Sequence, residues 1–173
     1  MTIPGAVWIA MASAIAVVPG AVAQSPDPGE ASCPVTIKNG LGLKRSVGEL
    51  PAGNHSNDSR TIATALWSDG TVTFRPGGAG CIDHEGWMSM KWPWWHEGTH
   101  KHLVIEGRRL DGDAPLLRAR IPDGYSGEFQ VSALIFPTPG CWRVTGRIDD
   151  QSLTFVVRAV KMGYGPRRCE PRP

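Results

Sequence analysis

His96, Glu97, Gly98, Thr99 and His100 spell H-E-x-x-H. On a helix that spacing sets residues i and i+4 on one face, so both imidazoles reach a zinc ion while the glutamate activates the metal-bound water. The chemistry needs the helix, and the surroundings do not favour one. Pro93 lies just upstream, Gly98 lies inside, and the alternating run LVIEG begins at Leu103. Neither an extended signature nor a convincing third-ligand motif follows, although Glu106 stands beyond His100. Zinc metalloprotease activity is therefore a distant third reading. The match is taken as coincidental, no catalytic residue is assigned, and a non-enzymatic chain is expected.

A milder metal chemistry fits the same stretch. His84, His96, His100 and His102 are four of the five histidines, and Asp83, Glu85 and Glu97 stand among them. Imidazoles with carboxylates suit Zn²⁺, Cu²⁺ or Ni²⁺. The competing reading, which we favour, is that these polar residues cap loops and strand ends around a turn at Glu97-Gly98. No cofactor is then expected, with zinc or copper as the alternative. Trp87, Trp92, Trp94 and Trp95 pose a second question, because exposed aromatics commonly grip sugar faces or protein partners. Alternation along a strand puts Trp92 and Trp94 on one side and Trp95 on the other, so they cannot all be buried on one face. Pro93 marks the segment as a strand end or edge. Other catalytic signals are thin: there is no G-x-S-x-G elbow, Walker pattern or dinucleotide glycine pattern. The pairs Arg108-Arg109 and Arg167-Arg168 read as solvated charge.

The elements that must position these residues are strands. The 173 residues include 21 Gly and 15 Pro, well above the roughly 12% of ordinary usage, and helix interiors tolerate neither. Extended runs are expected at Thr61–Trp67 and Thr71–Phe74, joined as a hairpin through Ser68-Asp69-Gly70, and at Trp87–Trp92, ending at Pro93. Further runs follow at Leu103–Leu110, Leu116–Ile121 and Phe129–Phe136. The clearest alternation comes next, with Trp142, Val144 and Ile148 on one face and Arg143, Thr145 and Arg147 on the other, before LTFVVRAV closes the series. Turn signals recur about every 8–12 residues, which favours an all-β antiparallel sandwich of about seven to nine short strands. Gly140-Cys141-Trp142-Arg143-Val144 resembles the Gly-x-Tyr-x-Cys pattern of immunoglobulin-like sandwiches. Trp142 would take the Tyr place, its indole N–H donating the corner hydrogen bond, and Val144 the place of the core Cys. Cys141 then points away from the core, toward something lying across the sheet, and Cys33 is the first candidate.

Residues 1–23 carry no charged side chain. Their apolar stretch, the Pro19-Gly20 break and Ala21-Val22-Ala23 read as a secretory signal peptide cut after Ala23, with an n-region lacking Lys and Arg. The uninterrupted apolar run is short of the ~20 residues that span a bilayer, so no stable membrane insertion of the mature chain is expected. Residues 24–32 form a Pro-rich leader, 33–162 the domain and 163–173 a C-terminal tail. Export makes the four cysteines, Cys33, Cys81, Cys141 and Cys169, most simply two disulfides with three possible pairings, and no C-x-x-C spacing supports a zinc ribbon. A net charge of +2, from 18 Lys+Arg against 16 Asp+Glu, is too small to argue for nucleic acid or anionic membrane.

WSDGTVTFRPGG (67–78), WMSMKWPWW (87–95), LVIEGRRLD (103–111), RARIPDGY (118–125) and LIFPTPGCWRVTGRIDDQSLTFVV (134–157) occur in order. Together they resemble a family of uncharacterised secreted or lipid-anchored bacterial proteins with an immunoglobulin-like fold. The resemblance implies that Cys33 and Cys141 are the family's cysteines, in Cys-Pro-Val-Thr and Gly-Cys-Trp, and that Cys81 and Cys169 are an additional pair. After Trp-Trp the family usually has residues of the Arg-Gly type, where this chain has His96 to His100. The expectation is a secreted or periplasmic binding or structural module, its partner an envelope protein or a glycan. A metal-binding domain using His84, His96, His100 and His102 is the alternative.

Overall fold

The computed structural model describes residues 33–44, 54–98, 102–123 and 127–169. The signal-like segment, the Pro-rich leader and His100 lie outside the described residues. Ten strands form among the described residues: β1 (Asn54–Ser56), β2 (Ile62–Ala65), β3 (Thr71–Phe74), β4 (Cys81–Ile82), β5 (Met88–His96), β6 (Val104–Arg109), β7 (Arg118–Arg120), β8 (Phe129–Phe136), β9 (Gly140–Ile148) and β10 (Gln151–Lys161). There is no helix among the described residues. The all-β class thus follows the period-two patterning. The number of strands exceeds the expected seven to nine, since β1 and β4 are too short to show an alternation.

Strands β1-β2-β5-β8-β7 lie in that order in a six-stranded sheet, with β4 also paired to the start of β5, and β3-β10-β9-β6 make a four-stranded sheet. Among the described residues a single parallel bridge joins Ile82 to Arg168, and the strand-to-strand pairings are antiparallel except β3 with β10, which is parallel. That exception corrects the expected hairpin. Ser68-Asp69-Gly70 does turn the chain, with Gly70 at φ 66° and its N–H donating to the Trp67 carbonyl at 3.1 Å. The strands on either side nevertheless enter different sheets. Gly70 is held against β10, its carbonyl accepting from the Arg158 N–H at 2.9 Å, and Val35 fills the space where a side chain on Gly70 would go. The turn is therefore a crossover between layers.

Pro93 requires a second correction, because β5 runs straight through it to His96 in the interior of the sheet. The Pro93 carbonyl accepts from Thr64 Oγ1 at 2.7 Å, so its backbone polar groups face β2 and not β8. The regular β2 ladder on that edge begins only at Trp94, and the missing N–H removes no ladder bond.

The sheets face each other over one aromatic-rich core. Trp92 of β5 stacks on Phe155 of β10, with centroids 5.4 Å apart and planes 8° from parallel, and Trp94 lies 5.8 Å from the same ring. Phe136 meets Trp142 edge-on at 5.8 Å. Trp142, Val144 and Ile148 are buried on the inner face of β9. The Trp142 indole N–H donates to the Thr138 carbonyl at 3.1 Å.

Cys33 is bonded to Cys141 and Cys81 to Cys169, leaving no free cysteine. The first bridge ties residues 33–37 across the four-stranded sheet. There the Thr36 N–H donates to the Val156 carbonyl, and the Val156 N–H to Thr36 Oγ1, both at 2.8 Å. The second bridge fastens 163–169 beside β4, where the Ile82 N–H donates to the Arg167 carbonyl and the Cys169 N–H to the Ile82 carbonyl, each at 2.8 Å. Such bridges persist in an oxidising compartment. Among the described residues no helix is long and apolar enough to cross a membrane.

Candidate functional site

Strand β5 carries four of the eight histidines and tryptophans singled out from the sequence, and its alternation decides what each of these can do. Trp92, Trp94 and His96 point inward and are buried, whereas Trp95 is half-buried on the other face. Buried polar groups on neighbouring strands form a seam along the inner face of the six-stranded sheet. Trp94 Nε1 donates to Ser132 Oγ at 3.0 Å, and Gln130 Nε2 meets His96 Nε2 at 3.2 Å. Ser132 Oγ also lies 3.4 Å from the Trp92 carbonyl. Pairing of this kind is what makes polar side chains tolerable in a core. His96 Nδ1 and Trp92 Nε1 are buried without a hydrogen-bond partner among the described residues.

This geometry keeps the described histidines apart. His96 ends a β-strand and Gly98 follows at φ 89°, so the helix that H-E-x-x-H chemistry requires is not formed at His96 to Gly98. His84 sits exposed in the turn between β4 and β5, at the opposite end of a strand about 26 Å long, and cannot share an ion with His96. His102 is exposed just before β6, and His100 lies outside the described residues. No group of three or more His, Cys, Asp or Glu able to hold a metal occurs among the described residues.

The tryptophans divide. Trp92 and Trp94 belong to the core. Trp87 is half-buried beneath the Arg118 guanidinium, 3.8 Å from the ring centroid, and Arg118 is also bonded to Glu85 at 2.7 Å. Trp95 pairs across the ladder with Phe129 on the outer face, the rings 5.5 Å apart and tilted by 44°. Next to them Pro93 pairs with Val131, and then Lys91 with Ala133.

Phe129 was missed by the sequence reading, although β8 carries a signal for it. In FQVSALIF, Gln130 and Ser132 are buried while Phe129, 40% exposed, and Val131 face outward, so the first half of the strand puts its polar residues in and its apolar ones out. Hydrophobicity alone would have placed the strand the other way round. Its second half sets the register, because Leu134 and Phe136 must enter the core.

Two titratable groups elsewhere are displaced from their ordinary behaviour. Burial lowers the His55 pKa, and the ring's Nδ1 accepts the Asn39 N–H at 3.2 Å. For Asp111, burial pushes the pKa upward. The Arg109 side chain, 2.7 Å away, backbone N–H groups and the Arg109 charge outweigh that and hold it below the usual carboxylate range. Gly140 makes room for this pair, since its φ is 144° and a side chain there would collide with Arg109 and Asp111.

No family model matches the chain, and no curated protein matches it.

Proposed function

We propose that this chain is a secreted, non-catalytic binding module with an immunoglobulin-like fold, and that it grips a glycan of the cell envelope through the outer face of the six-stranded sheet. The observation that carries the reading is the inversion in β8. Phe129 and Val131 stand outward beside Trp95 and Pro93 while polar side chains go inward, so an apolar strip with two aromatic rings, partly exposed, lies on the outer face. Aromatic rings supply large apolar contact area with little conformational entropy to lose, and suit the C–H faces of sugar rings.

The immunoglobulin-like assignment is supported by β9. There the Trp142 indole bonds a carbonyl four residues upstream, as a corner Tyr would, Val144 occupies the core position, and Cys141 turns outward to Cys33. Secretion is supported by the signal-like residues 1–23 and by the two disulfides.

Co-sedimentation with purified insoluble peptidoglycan and with cell-wall polysaccharide tests the reading. The wild-type chain should pellet with one of them, and Trp95→Ala or Phe129→Ala should weaken binding about tenfold or more, the loss expected of an aromatic anchor. Binding that both substitutions leave unchanged, or no binding to either material, would overturn it.

A further inference from the structure

The outer face of the four-stranded sheet holds a second feature, on the opposite layer from Trp95. Arg108 of β6 and Arg143 of β9 are directly opposed across the antiparallel ladder. Directly opposed residues have Cβ atoms about 5 Å apart, and like charges in that position destabilise a sheet. Neither guanidinium is paired with an acidic side chain among the described residues. Glu106, one position along on the same face, is taken by Arg147 at 2.6 Å. Two adjacent positive charges are thus left uncompensated.

They open onto a cleft of about 390 Å³ whose apolar walls are Ile105, Leu116 and Leu117, with Thr145 and the Arg147-paired Glu106 also on its lining. The cleft is built into the fold. The Leu117 N–H donates to the Gly107 carbonyl at 3.0 Å, fixing the segment before β7 along the free edge of β6. Gly107 permits that approach, because a Cβ there would lie 3.0 Å from the Leu117 Cβ. Leu116 is left projecting over the cleft, 71% exposed. A large apolar side chain beside an unneutralised arginine pair is complementary to one kind of molecule, which has a carboxylate at one end and an apolar body at the other.

We propose that this cleft binds a small amphiphilic carboxylate of the fatty-acid kind. The carboxylate lies between the Arg108 and Arg143 guanidinium groups, which present forked donors suited to it, and the apolar body lies on Ile105, Leu116 and Leu117. The volume is within the roughly 300–1,000 Å³ of small-molecule sites. The proposal is independent of the glycan reading, since it uses the other sheet and none of the residues around Trp95.

Calorimetric titration of the full chain with decanoate, decanol and acetate tests it. Decanoate should bind measurably, while decanol, which lacks the charge, and acetate, which lacks the body, should each bind at least tenfold more weakly. Arg108→Gln, Arg143→Gln and Leu116→Asp should each weaken decanoate at least tenfold, and Arg75→Gln, which removes an exposed charge that does not line the cleft, less than threefold. All four positions are solvent-facing, and thermal unfolding of each variant reports whether the fold is kept. Equal binding of decanoate and decanol, undiminished binding by the two arginine variants, or no binding of decanoate to the folded wild-type chain would overturn the proposal.

Discussion

Gly146 sits in β9 where a methyl group would come within 2.5 Å of the Trp94 ring. The indole is held by the Ser132 hydrogen bond and packed against Phe155, so it has little freedom to retreat. Gly146→Ala should therefore destabilise the protein by about 1–3 kcal/mol, the usual range for overpacking, seen as a lower midpoint in urea unfolding. His55 gives the pH-dependent counterpart. Burial favours its neutral form, so its folded pKa lies below the ordinary value near 6.5. Its contribution to stability is complete above that value, begins to be lost as pH falls below it, and is gone once pH is under the folded pKa. His55→Gln should flatten this part of the stability–pH curve, and an NMR titration of the wild-type ring should give a midpoint below 6.5. At this scale the sequence was partly legible. The alternation in β9 separates Trp142 and Val144 from Arg143, and in β8 the inward register of Gln130 and Ser132 can be read only from Leu134 and Phe136, because the partners that make them tolerable there, His96 and Trp94, lie on another strand.

Elements were legible where the signal is local and misread where it depends on a distant partner. The alternating strands β8, β9 and β10 fall where the pattern puts them, and Asp149-Asp150 joins β9 to β10 as a true hairpin. Asp69-Gly70 carries the same kind of turn chemistry but joins two layers. A turn specifies how the chain bends and leaves open which sheet the next strand enters, and here that choice rests on Arg158 and Val35, far away in sequence. Residues 33–37 depend on a similarly remote tie. They form no regular strand, and the Cys33–Cys141 bridge and the exchanges with Val156 hold them to the sheet. Replacing Cys33 and Cys141 together by Ala should lower stability by about 2–5 kcal/mol in denaturant unfolding. The loss should be felt first at the Thr36–Val156 hydrogen bonds, as early amide exchange at Val156.

For the whole molecule, the shared core sets the behaviour. Trp92 and Trp94 from one layer, Phe155 from the other and Trp67 from the crossover between them form one aromatic group, and neither sheet has a separate interior. Unfolding should be a single transition, with tryptophan fluorescence and far-ultraviolet circular dichroism giving the same midpoint. Separate midpoints would show that one layer survives the other. The two bridges add a property of another kind. A pull applied between Cys33 and Cys169 passes from Cys33 straight to Cys141, and from Cys169 straight to Cys81. However far the fold is undone, the stretch from Cys141 to Cys169 bounds the separation of those points at roughly 100 Å, against roughly 470 Å for the unbridged chain. Under tension the molecule is a short leash, and most of its length is shielded from the load.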